Sequence, residues 1–421
     1  MRLRSANAWA WGAGAALLAI VPAAAGHGFA LLFYAECAIM VVLALSYNLL
    51  LGASGMLSFG HAVYSGVGAY ATIHALNWIG RSHAPLPVTL LPLAGGLAGL
   101  GAGATLGFVS TRRSGTAFAM ITLGIGELVG ACWLMFPGFF GGEGGISGNR
   151  TVGAPLLGVP GWNLGSDLQI DYVIGAWCLL CIAGIRALLA TPLGRIANAV
   201  RDNPERAEFV GYSARKVRWL MLMASGFFAG IGGALSALNF EIVTAENVGA
   251  LRSGEMLLAT FIGGAAYFHG PILGAAVFVF FAVALSQWTK AWQLYLGLFF
   301  VALVLKAPGG LADVAAGVGP RLRERLQRGR MGLGLAQAAG AAAFLAGLIL
   351  LVEMAYQRTL EAAEGAVAHV FWTRVDAARP GPWALGAALL LGGALVARTS
   401  RRIEAQASTQ PYAGPSRAWW R

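Results

Sequence analysis

The chain predicts an all-α polytopic membrane protein, with about 10 core transmembrane helices and a two-helix C-terminal extension. Three observations carry this. Of 421 residues, 57% are hydrophobic and only 11% are charged, and the mean hydropathy is +0.68. Apolar stretches of about 20 residues, the length that crosses a hydrocarbon core, recur from end to end. These stretches lack the alternation of a transmembrane barrel, and lipid admits only helices or closed barrels.

The expected core spans lie near 8–26, 29–51, 57–79, 86–109, 116–137, 170–190, 218–240, 254–267, 271–289 and 291–306, with two more near 332–354 and 382–398. Met1 to Arg4 lead into an apolar run of spanning length, so that run reads as a first membrane helix rather than a cleaved signal. The 254–267 span is short, and Gly263 and Gly264 interrupt it, which marks a broken or re-entrant helix. The 60 glycines suit close helix contact in lipid. Gly95, Gly99 and Gly103, and Gly226 with Gly230, form small-residue faces that read as close packing within the chain. Cys37, Cys132, Cys178 and Cys181 all fall in apolar runs without charged or histidine companions, so they read as small core residues.

Charge sets the expected topology. With the N-terminus inside, the inner side receives Arg2, Arg4, Arg112, Arg113, a cluster over 186–218, Lys306, a cluster over 321–330, Arg398, Arg401, Arg402, Arg417 and Arg421. The outer side receives Arg81, Arg150, Arg252, Lys290, Arg358, Arg374 and Arg379. That bias is what the positive-inside rule requires. It places both termini in the cytoplasm of a multi-pass membrane protein. It also explains the net charge of +11 without nucleic acid, since the basic residues sit at span ends on one side. The 321–330 cluster reads as attraction to anionic membrane lipid.

One segment stands out as a polar island between two spans, residues 191–218. Thr191 and Pro192 form an N-cap followed by proline at the first helical position. Asn203 and Pro204 repeat the signal, Glu205 favours the helix dipole, and Gly211 suits a C-cap. Two short helices with a corner at Asp202 and Asn203 follow. Ile196, Ala199 and Val200 are expected on one apolar face, and Ala207, Phe209 and Val210 on another. The segment reads as a docking knob for a cytoplasmic partner, against the plainer reading of an interfacial hairpin on headgroups.

A second feature is a hydrophobic stretch interrupted by Gly52, Ser54, Gly55, Ser58 and Gly60, with His61 just beyond. Interrupted helices in transporters line cavities, because freed backbone groups need water or protein partners. Asn48, Ser58 and His61 are candidates for lining a path or bracing the break, and a satisfied structural role is the leading reading of His61. Glu36, Glu127 and Glu255 lie in or at the edge of spans, where carboxylates often mark a path or pair with one another. Glu127, near mid-membrane, is the path candidate among them. The outer loop near 138–169 is rich in glycine and proline and carries Glu143 and Asp167, with Asp171 at the next span's edge.

Several of these stretches resemble one family. RDNPERAEFVGY over 201–212 looks like the coupling loop of branched-chain amino acid ABC transporter permeases, the LivM type of the LivH/LivM permease family. Arg206 replaces the middle alanine of the wider importer loop motif. SYNLLLGASGMLSFGHAVYSGVGAY over 46–70 is similar to the family's N-terminal signature. RRSGTAFAMITLGIGE over 112–127, GGEGGISG over 141–148, SGEM over 253–256, GGAAYFHGPILG over 263–274 and KAPGGL over 306–311 complete the likeness, which covers roughly 30–315 in order. It implies a permease domain over 1–315, a basic linker over 316–331 and an extension over 332–421 that departs from the family.

The resemblance also implies partners: a homologous second permease subunit, two cytoplasmic ABC ATPase subunits and a periplasmic substrate-binding protein. Arg195, Arg201, Asp202, Asn203, Pro204, Glu205, Ala207, Glu208 and Gly211 would then meet the ATPase. Asn48, Ser58, His61 and Glu127 would serve the translocation path. No phosphate-binding GxxxxGK[ST] motif occurs, so ATP and Mg²⁺ belong to the ATPase partners. No cofactor, metal cluster or catalytic constellation is expected in this chain, which would be a transport subunit and not an enzyme. Branched-chain amino acids are the expected cargo; urea, short amides or aromatic acids are the alternatives within the class. A secondary transporter coupled to ions through Glu36, His61 and Glu127 is the alternative outside it.

Overall fold

The computed structural model describes residues 14, 16, 18, 20–24, 28–154, 163–317, 331–359, 367–370, 373–376 and 378–409. They are almost all helical, as the apolar pattern requires. Among them, eight helices are long and apolar enough to cross a membrane, or nine if one bent pair counts as a single span.

The expected span at 8–26 falls mostly outside the described residues; those described within it are helical. Leu18 accepts a hydrogen bond from the Tyr34 hydroxyl at 2.9 Å. Helix α1 (Phe29–Asn48) runs into a π-turn at Leu49–Ala53 and stops. The chain resumes as α2 (Ala62–Ser82), five residues later than the sequence pattern predicts. The delay has a cause: Gly55 takes a positive φ of 69°, and the backbone to Gly60 is non-helical. Helix α3 (Leu91–Ser110) and α4 (Thr116–Met135) follow, joined through Gly115 at φ 63°.

Helix α5 (Asp167–Ala190) leads into the polar island, which folds as α6 (Pro192–Asp202) and α7 (Pro204–Phe209). The chain re-enters the bundle as α8 (Ala214–Phe240). Next come α9 (Ala250–Gly263) and α10 (Gly270–Val279), which continues through irregular turns to Gln287. The interruption predicted at Gly263 and Gly264 is present, with Gly264 at φ 101°. With 14 residues, α9 is short of a full crossing. Helix α11 (Trp292–Lys306) bends by 59° into the segment 310–317.

The core of this first unit is α8. Its window is 72% buried, against 28% for α4, so α8 is an axis and α4 a flank. Small residues make that possible. Gly95 and Gly99 of α3 approach the backbone of Gly226 and Gly230 on α8, and Gly68 of α2 approaches Gly230 from another side. A methyl group at any of these would strike backbone, so the glycine faces serve close packing within the chain. Cys178 and Cys181 are buried and unpaired in the same core.

A second unit contains most of the chain beyond Val314. Helix α12 (Met331–Thr359) and α13 (Pro380–Thr409) pack antiparallel, with Gly340 near Gly393 and Gly347 near Gly386. Leu350 and Met354 form its small core with Val375 and Trp383. Between them the described residues form a hairpin of β1 (Val367–Val370) and β2 (Thr373–Asp376). β-Branched residues recur in both strands, which favours extended backbone over helix. Glu361, Glu364 and Trp372 of that connection lie outside the described residues, as does 318–330 of the basic linker.

Candidate functional site

The island stands at one end of the bundle. Its first helix docks inward through Gly194, Ala197 and Val200, spaced three residues apart on one face. That corrects the expected face: Ala199 points outward, and Ile196 is only half-buried. Pro192 occupies the first turn as predicted, but the Thr191 side chain does not cap the helix. Its hydroxyl donates to the Leu188 carbonyl of α5 at 2.6 Å. At the corner, the Asn203 side chain accepts from the Arg206 amide at 2.9 Å, the cap the sequence implies. Gly211 turns the chain away at φ 91°.

Only Ala207 of the second helix is buried. Phe209 is 91% exposed and Val210 71% exposed, so they do not join an internal apolar face as expected. A six-residue helix has one inward face, and Ala207 takes it. Arg195, Arg201, Asp202, Asn203, Glu205, Glu208 and Gly211 also lie on the exposed surface, and Pro204 is half-buried. The result is an apolar pair set in a charged, exposed rim.

The helix break lies beneath the island and is held by hydroxyls. Tyr47 donates to the Ser58 carbonyl at 2.8 Å, and Ser54 donates to Leu50 at 2.8 Å. The Phe59 amide reaches Thr122 of α4, and the Ala62 amide reaches Ser253 of α9. Ser225 of α8 donates to the Ser46 carbonyl at 2.7 Å, and Thr260 of α9 to Ala44. Backbone groups at and around the break are thus met by three other helices, α4, α8 and α9, the condition for irregular backbone at membrane depth.

His61 and Ser58 are fully buried within this brace. His61 Nε2 lies 3.0 Å from Ser46 Oγ, and the Ser46 hydroxyl already donates to Leu43. Ser46 therefore accepts, which assigns the ring proton to Nε2. Tyr47 and Tyr64 pack edge-on around the ring. Asn48, by contrast, borders a cavity of about 100 Å³. Leu45, Leu49, Gly52, Ala265, Phe268 and Arg201 share that wall, so the two helix breaks and the island converge there.

Arg201 makes the direct link. Its Nη1 donates to the Gly52 carbonyl at the end of the π-turn, while Nε and Nη2 are held by Asp202 Oδ1 at 3.0 Å. Glu127 lies apart from this group. It is exposed on α4, beside exposed Leu128 and one turn from Gly124. The sequence motifs singled out Arg201 and the break separately; their contact spans 149 positions and has no local signal. The bracing residues Ser46, Tyr47, Thr122, Ser225, Ser253 and Thr260 were also missed, although hydroxyls inside apolar runs are the available clue.

At the opposite end of the bundle, Arg150 closes the glycine-rich loop. It is 8% exposed. Its guanidinium donates to the carbonyls of Leu164, Leu238 and Asn239 and to Asp167, and its amide donates to Glu241. Ile146 and Ser147 pair with Val243 and Ile242 beside it. Near the same end, Arg252 and Glu255 form an ion pair at 2.7 Å within α9.

A bundle of broken, glycine-packed, hydroxyl-braced spans with an exposed helical corner defines an all-α polytopic membrane protein. Sequence comparison gives the family: the chain belongs to the branched-chain amino acid transport system permease component family, whose profile matches residues 29–307. Relatives include the high-affinity branched-chain amino acid transport system permease protein LivM of Escherichia coli K12. It is 29% identical over 293 residues, covering 65% of this chain and 67% of the relative. LivM of Salmonella typhimurium LT2 matches to the same extent. The guanosine ABC transporter permease protein NupQ of Bacillus subtilis 168 is 33% identical over 99 residues, 24% of this chain and 30% of the relative. No solved structure matches. The family expected from the motifs is the family found.

Proposed function

We propose that this chain is the membrane permease subunit of an ABC importer for branched-chain amino acids. It lies in a bacterial inner membrane with both termini cytoplasmic. A homologous second permease completes the path, two cytoplasmic ATPase subunits bind ATP and Mg²⁺, and a periplasmic binding protein delivers the cargo. The observation that carries this reading is the exposed Phe209 and Val210 pair, set beside a capped corner between two spans. An apolar anchor inside a polar rim is the anatomy of a protein-docking surface.

Glu127 supports the second permease. A carboxylate exposed at mid-span is costly against lipid and suits an aqueous path or a partner helix. The island segment 191–218 is the coupling loop in this reading, and the 332–421 extension packs against partners. The substrate follows the LivM relatives, while the NupQ relative supplies the competing cargo to exclude.

The test uses the assembled importer in proteoliposomes. Glu205→Lys and Gly211→Pro are expected to leave membrane insertion intact and to uncouple ATP hydrolysis from uptake. Normal coupled uptake in both variants refutes the docking assignment. Uptake competed by leucine, isoleucine and valine is expected; competition by guanosine, urea or aromatic acids instead overturns the substrate.

A further inference from the structure

Helix α1 closes on Gly55, whose positive φ of 69° turns the chain out of the helix, but this glycine cap does not reach every one of the last carbonyls. The final turn of any helix leaves carbonyls without amide partners and concentrates negative charge there. The Met56 amide turns back to Leu50 at 2.9 Å and the Gly55 amide to Leu51 at 3.2 Å. Ser54 covers Leu49 and Leu50. The Gly52 carbonyl is met by Arg201, a residue of the island, which arrives from 149 positions away.

The fit around this contact is tight. A methyl at Gly55 would lie 2.7 Å from Arg201 Cγ, so the arginine stem rests on the glycine backbone. A methyl at Gly52 would strike Asn48 Oδ1 on one side and the Ala265 carbonyl on the other. Ala265 belongs to the second break, between α9 and α10. Asp202 holds the guanidinium from behind through Nε and Nη2, which aims Nη1 at the carbonyl. The adjoining cavity of about 100 Å³ leaves the break room to shift if the contact is moved.

We propose that Arg201 is a positioning residue that caps the broken helix α1 from the island and carries displacement of the island into the helix break. It touches neither cargo nor nucleotide; its effect runs through the Gly52 carbonyl. Transmission rests on the docking reading given above, whereas the cap itself does not.

Two measurements separate them. In the full-length chain in detergent, Arg201→Gln is expected to speed amide hydrogen exchange at 54–56 by about tenfold, the scale of one lost charge-assisted hydrogen bond. Exchange within α12 is the internal control and stays unchanged. Arg201→Lys restores most of the protection, because an ammonium still donates to a carbonyl at a negative helix end. In the assembled importer, Arg201→Gln is expected to raise ATP hydrolysed per cargo molecule imported by about tenfold, with Arg201→Lys returning toward wild type.

Unchanged exchange at 54–56 overturns the proposal. So does faster exchange with a normal coupling ratio for Arg201→Gln while Glu205→Lys uncouples. Faster exchange with normal coupling in both variants overturns the docking reading instead and leaves the cap standing.

Discussion

At the scale of single residues, buried polar side chains decide whether the break is a defect or a joint. His61 is fully enclosed, with Nε2 on Ser46 and tyrosine rings on two sides. Replacing it by alanine empties an aromatic-sized site and leaves the Ser46 oxygen short of a donor. His61→Ala is expected to destabilise the chain by about 3 kcal/mol, read as a lowered Tm in detergent. Arg150 works differently, since its donors satisfy carbonyls at the ends of two segments that would otherwise face one another empty. Arg150→Ala is expected to cost about 3 kcal/mol and to speed exchange of the Gly148 and Arg150 amides. Asp167→Asn should cost far less, because that carboxylate is 74% exposed and its ion pair is screened.

At the scale of elements, glycine sets how closely helices can cross. Gly233 of α8 lies against the Ser65 carbonyl of α2, and no flexible atom stands between them. Gly233→Ala is expected to force α2 and α8 apart and destabilise the fold by about 1–3 kcal/mol, whereas Gly101→Ala on the open side of α3 is neutral or stabilising. Thermal unfolding of the pair of variants checks the contrast. Elements were also where the sequence was most readable. Lipid makes span length a direct reading of apolar run length, so most spans fall close to their predicted bounds. Proline and asparagine signals located the corner at Asn203, because a cap is a local contact. Facing was less readable: Ala199, Phe209 and Val210 fit an apolar stripe but emerge exposed, since a short helix chooses its buried face by what lies beneath it. The grip of Arg201 on Gly52 was unreadable for a related reason, as neither residue carries a mark of the other.

At the scale of the whole molecule, the family likeness and the main core coincide. The large buried cluster runs from Ala35 to Leu303, and the profile match covers 29–307. Leu350 and Met354 form a separate cluster. A chain ending at 317 is therefore expected to insert and to unfold at the same Tm as the full chain, measured in the same detergent; a drop of several degrees shows that the extension supports the core. The Arg150 clamp has a further meaning once the chain is pictured in the order of its synthesis. Arg150 precedes its partner Glu241 by 91 positions, and α8 lies between them. The guanidinium meets Leu164 and Asp167 soon after it in the chain, whereas the Leu238 and Asn239 carbonyls are made only once α8 has been synthesised. Closure of the loop therefore depends on the central helix being in place.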